Sequence, residues 1–190
     1  YNDPVIFLEY AVDTAKACRE RGIKNIAVTA GYICPDPRAE FYKWMDAANV
    51  DLKAFTEFFY KKLCTSQLSK VLETLKYLRY ETNVWFEITD LLIPGENDSE
   101  KEIDNMTSWI VKHLGPDIPM HFSAFHPDWK MMDTPHTPKS TLERARYIAL
   151  SNGVRYAYTG NVHDFDGQST YCHSCNEILI GRDWHQLSEW

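Results

Sequence analysis

No stretch of this chain stays apolar for long enough to cross a membrane, and its first residues do not read as a signal peptide. No block of lysine and arginine stands out. The formal net charge is -7, which argues against nucleic acid as a partner and is the ordinary acidity of a soluble protein. There is no G-x-G-x-x-G and no G-x-x-x-x-G-K-S/T, so neither a dinucleotide fingerprint nor a P-loop is available. Cysteine is sparse. Cys18, Cys34, Cys64, Cys172 and Cys175 are odd in number and irregular in spacing, which predicts reduced thiols in place of a disulfide framework. A cytoplasmic protein with no membrane partner is the expectation.

What is present fits one domain with a full core. The chain has 190 residues, of which 44% are hydrophobic and 25% charged. Its 11 Tyr, 9 Phe and 6 Trp read first as packing. Tyr1 takes the place of an initiator Met. Tyr1-Asn2-Asp3-Pro4 reads as the end of a loop running into a helix, and the strand that should precede it is missing. A fragment is therefore expected, with an exposed parallel edge that favours dimers or aggregates.

The hydrophobic pattern alternates between helices and strands. Asp3 can cap a helix with Pro4 at its first position, and Gly22 can stop it. Residues 24–29 read as a buried strand that Gly31 breaks. Residues 37–48 read as a helix, 49–53 as a short strand, 56–64 as a short helix and 67–80 as a longer one. The strongest strand covers 84–93 and ends at Pro94-Gly95. Ser99 with Glu102 forms a capping box for a helix ending near Gly115. Residues 118–125 are the next strand. A long loop from His126 to Pro138 holds three of the nine prolines. A helix to Gly153 and a strand over 154–158 follow, then a polar tail.

Strands alternating with helices predict an α/β fold with about four to five parallel strands. Residues 1–160 would form this incomplete parallel β/α barrel, and 161–190 a tail. Clusters at the carboxyl ends of the strands would carry the chemistry: Thr29-Ala30-Gly31-Tyr32, Asp51-Leu52-Lys53, Pro94 to Asp98 and His126-Pro127-Asp128.

Asp51 and Lys53 share one face of a strand, because side chains alternate. They form either a structural ion pair at a strand end or a grip on a zwitterionic or carboxylate ligand. Lys53 alone could instead be an imine-forming amine, which would make the protein a barrel lyase or aldolase. Glu87 and Thr89 share one face of an apolar strand, where they would line a barrel interior or make buried hydrogen bonds. His121 and His126 fall on opposite faces if their strand stays regular, and His126 opens the loop. Cys172-His173-Ser174-Cys175 has the spacing of a metal knuckle. Zinc wants four ligands, with His163, His173 and His185 as possible helpers, so the tail could staple a non-enzymatic binding domain.

Taken in order, five segments resemble radical S-adenosylmethionine (SAM) enzymes of the pyruvate formate-lyase-activating type. The likeness falls in the branch named for the AMMECR1–Memo–radical SAM system. The segments are Tyr1-Asn2-Asp3-Pro4; Asp51-Leu52-Lys53; Leu92 to Asp98; His121 with Phe125-His126-Pro127; and Thr170-Tyr171-Cys172-His173-Ser174-Cys175. The resemblance implies a partial barrel holding a 4Fe–4S cluster and SAM, with a 5′-deoxyadenosyl radical abstracting hydrogen from a substrate, for which a glycyl-radical protein is the analogy from fold. It places Asn2 and Asp3 at the methionyl amino group, Asp51 and Lys53 beside the cofactor with Lys53 at its carboxylate, and His126 near the adenosyl portion. Glu87 and His121 become substrate-side candidates. Position 30 is Ala where relatives often carry Asn. The chain has no C-x-x-x-C-x-x-C, so by this reading it cannot build the cluster and is not catalytic alone.

Overall fold

A computed structural model describes residues 2–189, so Tyr1 lies outside the described residues. The Asp3 side chain accepts from the Val5 N–H at 2.9 Å and starts a 3-10 turn over Pro4–Phe7. Helix α1 follows over Leu8–Glu20, and the chain turns at Gly22 with φ +72°. Four units of strand and helix come next: β1 (Ile26–Thr29), α2 (Pro35–Tyr42), β2 (Ala47–Asp51), α3 (Glu57–Phe59), α4 (Leu68–Glu81), β3 (Trp85–Leu92), α5 (Glu100–Leu114), β4 (Met120–Ala124) and α6 (Lys139–Ser151). Strand β5 (Ala157–Gly160) closes the series. The five strands form one parallel sheet in the order β1-β2-β3-β4-β5. This is the incomplete parallel wall that the alternating pattern predicts.

The helix expected over 37–48 is shorter, and residues 47–48 belong to β2. Asn25 accounts for the difference. Its amide donates to Ala15 O at 2.9 Å and Trp44 O at 3.0 Å, and its carbonyl accepts from the Asp46 N–H at 2.8 Å. These bonds end α2 and pull the chain down into register with Ile26 and Trp85. The capping box is also only half made. Ser99 Oγ accepts from the Glu102 N–H at 3.3 Å, but the Glu102 carboxylate accepts from the Phe55 N–H at 2.7 Å.

One face of the sheet carries the core. Ala27, Val50, Ile88, Phe122 and Ala157 are buried against Leu75, Ile103, Met106, Ile110 and Leu142 from the helices. Each such aliphatic side chain contributes roughly 1.5–3 kcal/mol by leaving water. Gly31, at φ +68°, is pressed onto this layer: a Cβ there would meet Val50 Cγ1 at 2.8 Å.

The other face is open. Ile26, Asn49, Asp51, Trp85, Glu87, Thr89, His121, Ser123 and Tyr158 alternate with the buried set and are partly or fully exposed. Strands β1 and β5 are the edges of this sheet, and Ile26 on β1 is 68% exposed.

The polar tail is more ordered than its composition suggests. It forms α7 (Phe165–Gln168), β6 (Thr170–Tyr171), β7 (Ile178–Asp183) and β8 (Gln186–Glu189), with the three strands in a small antiparallel sheet. Only Ile178-Leu179-Ile180 gives an apolar signal, so periodicity alone could not find it. Among the described residues no helix is long and apolar enough to cross a membrane.

Candidate functional site at the carboxyl ends of the strands

Strand alternation puts Asp51 and Lys53 on the open face on either side of the fully buried Leu52. Lys53 Nζ lies 2.8 Å from Asp51 Oδ2, with the side chains 31% and 25% exposed. The turn that carries them is clamped from below. Asn97, buried in the β3–α5 loop, donates through Nδ2 to Lys53 O at 2.6 Å and Leu91 O at 3.0 Å. Its Oδ1 accepts from the Ile93 N–H at 2.6 Å. Tyr60 takes the Lys53 N–H on its hydroxyl oxygen at 3.1 Å, and Glu102 takes the Phe55 N–H. The ends of β2 and β3 are thus tied into one rigid rim. The Pro94 to Asp98 segment matters chiefly through this clamp.

Asp3 reaches the neighbouring strand end. Its carboxylate accepts from Thr29 Oγ1 at 3.0 Å and from the Ala30 N–H at 2.6 Å, as well as from Val5. Thr29 pairs with Val50, so Asp3 is fastened to the strand next to the one that carries Asp51. Its oxygens are already shared among three chain donors, which makes it a fastener of the rim. Asn2 is exposed and lines a groove along the free edge of β1 with Phe7, Tyr10, Ile26 and Val28.

His126 is exposed two residues past the end of β4, with its ring edge-on to His136 at 4.3 Å. Thr137 fixes this corner. Its hydroxyl accepts from the Phe125 N–H at 3.0 Å and donates to Leu92 O. Asp51 pairs with Thr89 of β3 and Thr89 with His121 of β4, so β2 and β4 are separated by one strand, about 10 Å. Asp51 and Lys53 therefore sit at the end of β2 and His126 past the end of β4, while Asp3 is bonded to the buried Thr29 of β1.

Lower on the open face, Thr89 Oγ1 donates to Asn49 Oδ1 at 3.0 Å, and His121 Nε2 meets the Glu87 carboxylate. Glu87 and Thr89 thus both line the interior and are hydrogen-bonded. Asn49 and Tyr158 were not singled out by sequence reasoning. The signal was the polar residue at every second position of β2, β3 and β4.

Asp90 points to the opposite, helix-packed side and is fully buried. Its Oδ1 accepts from Asn97 Nδ2 at 3.4 Å, and its Oδ2 has no partner among the described residues. Burial holds this carboxyl well above the usual range, Glu102 adds to the effect and Lys53 opposes it. A carboxyl raised in the folded state lends stability that is complete below its unfolded value, near pH ~3.9, and lost as pH climbs through the folded value. Asp90→Asn is therefore expected to gain on the parent protein as pH rises from acid to neutral. Paired thermal melts across that range check this, and a pH-independent difference would refute it.

The cysteine knuckle is formed but small. The Cys172 N–H donates to Glu177 O and the Asn176 N–H to Cys172 O, each at 2.8 Å. Hydrogen bonds from the Cys175 and Ser174 backbone hold the Cys172 thiol below its usual range. Among the described residues no three His, Cys, Asp or Glu side chains gather so that they could hold a metal ion. With no C-x-x-x-C-x-x-C run either, this chain does not fit a 4Fe–4S cluster. The rim does fit the amino-acid end of SAM: an ammonium and a carboxylate, partly exposed and held in place, can meet its carboxylate and amino group.

The architecture is that of radical SAM domains. A domain of pyruvate-formate lyase-activating enzyme from Bacteroides vulgatus superposes with TM-score 0.73 at 18% identity, over 85% of this chain and 96% of that one. A radical SAM methyltransferase from Sphaerobacter thermophilus gives 0.67 at 13% identity, over 93% and 52%. Streptococcus suis SuiB bound to S-adenosylmethionine gives 0.62 at 14%, over 80% and 36%. At these identities the likeness is one of fold. In sequence, the chain is 40% identical over 182 residues to the uncharacterized protein MJ0808 of Methanocaldococcus jannaschii, covering 96% of this chain and 54% of the relative. The chain thus spans about half the length of the curated relative it matches. No family model matches it.

Proposed function

We propose that this chain is the SAM-gripping part of a radical SAM enzyme related to the pyruvate formate-lyase-activating type. The observation that carries the reading is the Asp51–Lys53 pair, anchored by Asn97 and Tyr60 at the carboxyl end of a parallel sheet of this fold. In this reading Lys53 meets the SAM carboxylate and Asp51 its amino group. Asp3 fastens the end of β1, Asn2 lies in the groove beyond it, and His126 borders the adenosyl portion. A cluster held by other residues of a longer protein would supply the electron that releases the 5′-deoxyadenosyl radical. The residues here bind and orient SAM and shield it from water.

Two measurements test this. SAM titrated into the chain calorimetrically should bind. A longer protein that includes a C-x-x-x-C-x-x-C loop, reconstituted without oxygen, should release 5′-deoxyadenosine. Absence of both would overturn the reading. The imine-forming alternative gains nothing from the site, because Lys53 is ion-paired and partly solvated and lacks the desolvated pocket that makes an amine nucleophilic. A protein substrate and self-association along the free edge of β1 are finer parts of the same proposal, the second readable by light scattering. Zinc at Cys172 and Cys175 would require ligands from beyond this knuckle.

A further inference from the structure

The open face of the sheet and the small tail sheet enclose a cavity of about 720 Å³. That is the size of a site for a small organic molecule. Glu87 and His121 line it from the sheet, Thr170, Arg182 and Trp184 from the tail. A single polar chain crosses between the two sides. The Glu87 carboxylate can only accept, so its bond to His121 places the hydrogen on Nε2. The His121 ring stacks on Tyr158 with centroids 5.2 Å apart and an interplanar angle of 27°. Tyr158 shares a hydrogen bond with Thr170 Oγ1 at 3.0 Å, and Arg182 Nη1 donates to the same oxygen at 2.6 Å.

Two features of this cavity lack an explanation in the fold. Among the described residues Arg182 directs its hydrogen bonds to a hydroxyl and, at 3.5 Å, to the Gln168 carbonyl, neither of which balances its charge. Of the two acidic residues on the lining, Asp117 lies 2.7 Å from Arg155 and Glu87 is bonded to His121. Second, Trp85 on the sheet side is 56% exposed and Trp184 on the tail side 47%, even with the Trp184 ring stacked on His163. Large rings left open on two sides of one cavity are a wetted apolar surface that a flat ligand would cover. A guanidinium fork matches the two oxygens of a carboxylate.

We propose that this cavity is the substrate site and that it takes a small aromatic carboxylate. The ring lies against Trp85 and Trp184, the carboxylate meets Arg182, and a ring hydroxyl or N–H reaches the Glu87–His121 pair. The tail is then one wall of the site. The proposal rests on the SAM reading for its role as a substrate site, since Asp51 and His121 stand in one row across the sheet with Thr89 between them. Binding at the cavity stands apart from that reading and can be measured by itself.

The probes are para-hydroxybenzoate and its uncharged counterpart para-hydroxybenzamide, titrated into the 190-residue chain. The readout is the indole N–H signals of Trp85 and Trp184 in NMR, assigned by Trp→Phe variants. The carboxylate should shift both signals, and the amide should bind roughly tenfold or more weakly, the value of a charged hydrogen bond. Arg182→Gln should erase that preference. Trp85→Ala, which leaves the tail untouched, should weaken both probes. Equal binding of acid and amide, or shifts that spare Trp85, would overturn the proposal. SAM is titrated separately: binding of the carboxylate without SAM leaves the cavity standing whatever becomes of the SAM reading, and SAM binding without the carboxylate removes the cavity alone.

Discussion

Replacing Lys53 with alanine should weaken SAM binding by roughly 10- to 150-fold, the equivalent of about 1.5–3 kcal/mol for one charged hydrogen bond. The folded state should barely notice. The Lys53–Asp51 pair is partly solvated, so breaking it should cost well under the roughly 3–5 kcal/mol of a fully buried pair. A large loss of affinity with a small change in melting temperature is the signature of a ligand grip. The opposite pattern, a lower melting point and unchanged SAM affinity, would make the pair a structural bridge. S-adenosylhomocysteine, which keeps the amino-acid end, should lose affinity in parallel. Borohydride reduction in the presence of small carbonyl compounds should leave Lys53 unmodified, and a trapped adduct on Lys53 would favour the imine chemistry.

Asn97→Ala should be the most damaging single change at the rim. It strips the buried Ile93 N–H of its acceptor and leaves Lys53 O and Leu91 O without their donor. Each orphaned group costs about 1–3 kcal/mol, and partial relaxation suggests a total near ~3 kcal/mol. For a chain of this size that is a fall of roughly 6–12 °C in melting temperature. Asn97→Asp should do no better, because it removes both donors and adds a carboxylate beside the buried Asp90. SAM affinity should fall in both variants, since Asn97 fixes the backbone on which Lys53 stands. Circular dichroism melts and calorimetry measure both effects. An unchanged melting temperature would show that the clamp is incidental.

The parts of the fold legible in the sequence are those set by local pattern. Alternation along 84–93 gave a strand with Glu87 and Thr89 on one face, and both do share the open face of β3. The capping signals of Asp3-Pro4 and Ser99 mark the starts of helical segments as expected. The same reasoning carried residues 37–48 too far as helix, because the bonds of Asn25 that end it come from a distant part of the chain. The tail showed almost no pattern, since β6 is too short to alternate and burial along β7 does not alternate, with Ile178 and Leu179 both exposed.

For the candidate site, sequence reasoning could pair Asp51 with Lys53, because their relation is a property of one strand. It could not find the Glu87–His121 contact, which needs β3 and β4 set side by side in one register. Nor could it find Arg182 and Trp184 on the wall of a cavity whose floor lies about a hundred residues earlier in the chain. The amino-acid order alone determined a parallel α/β wall with polar residues on one face, since side-chain alternation and helix periodicity act over a few neighbours. The tertiary structure decided which of those residues meet, because strand order, loop clamps and the docking of the tail depend on contacts between segments far apart in sequence.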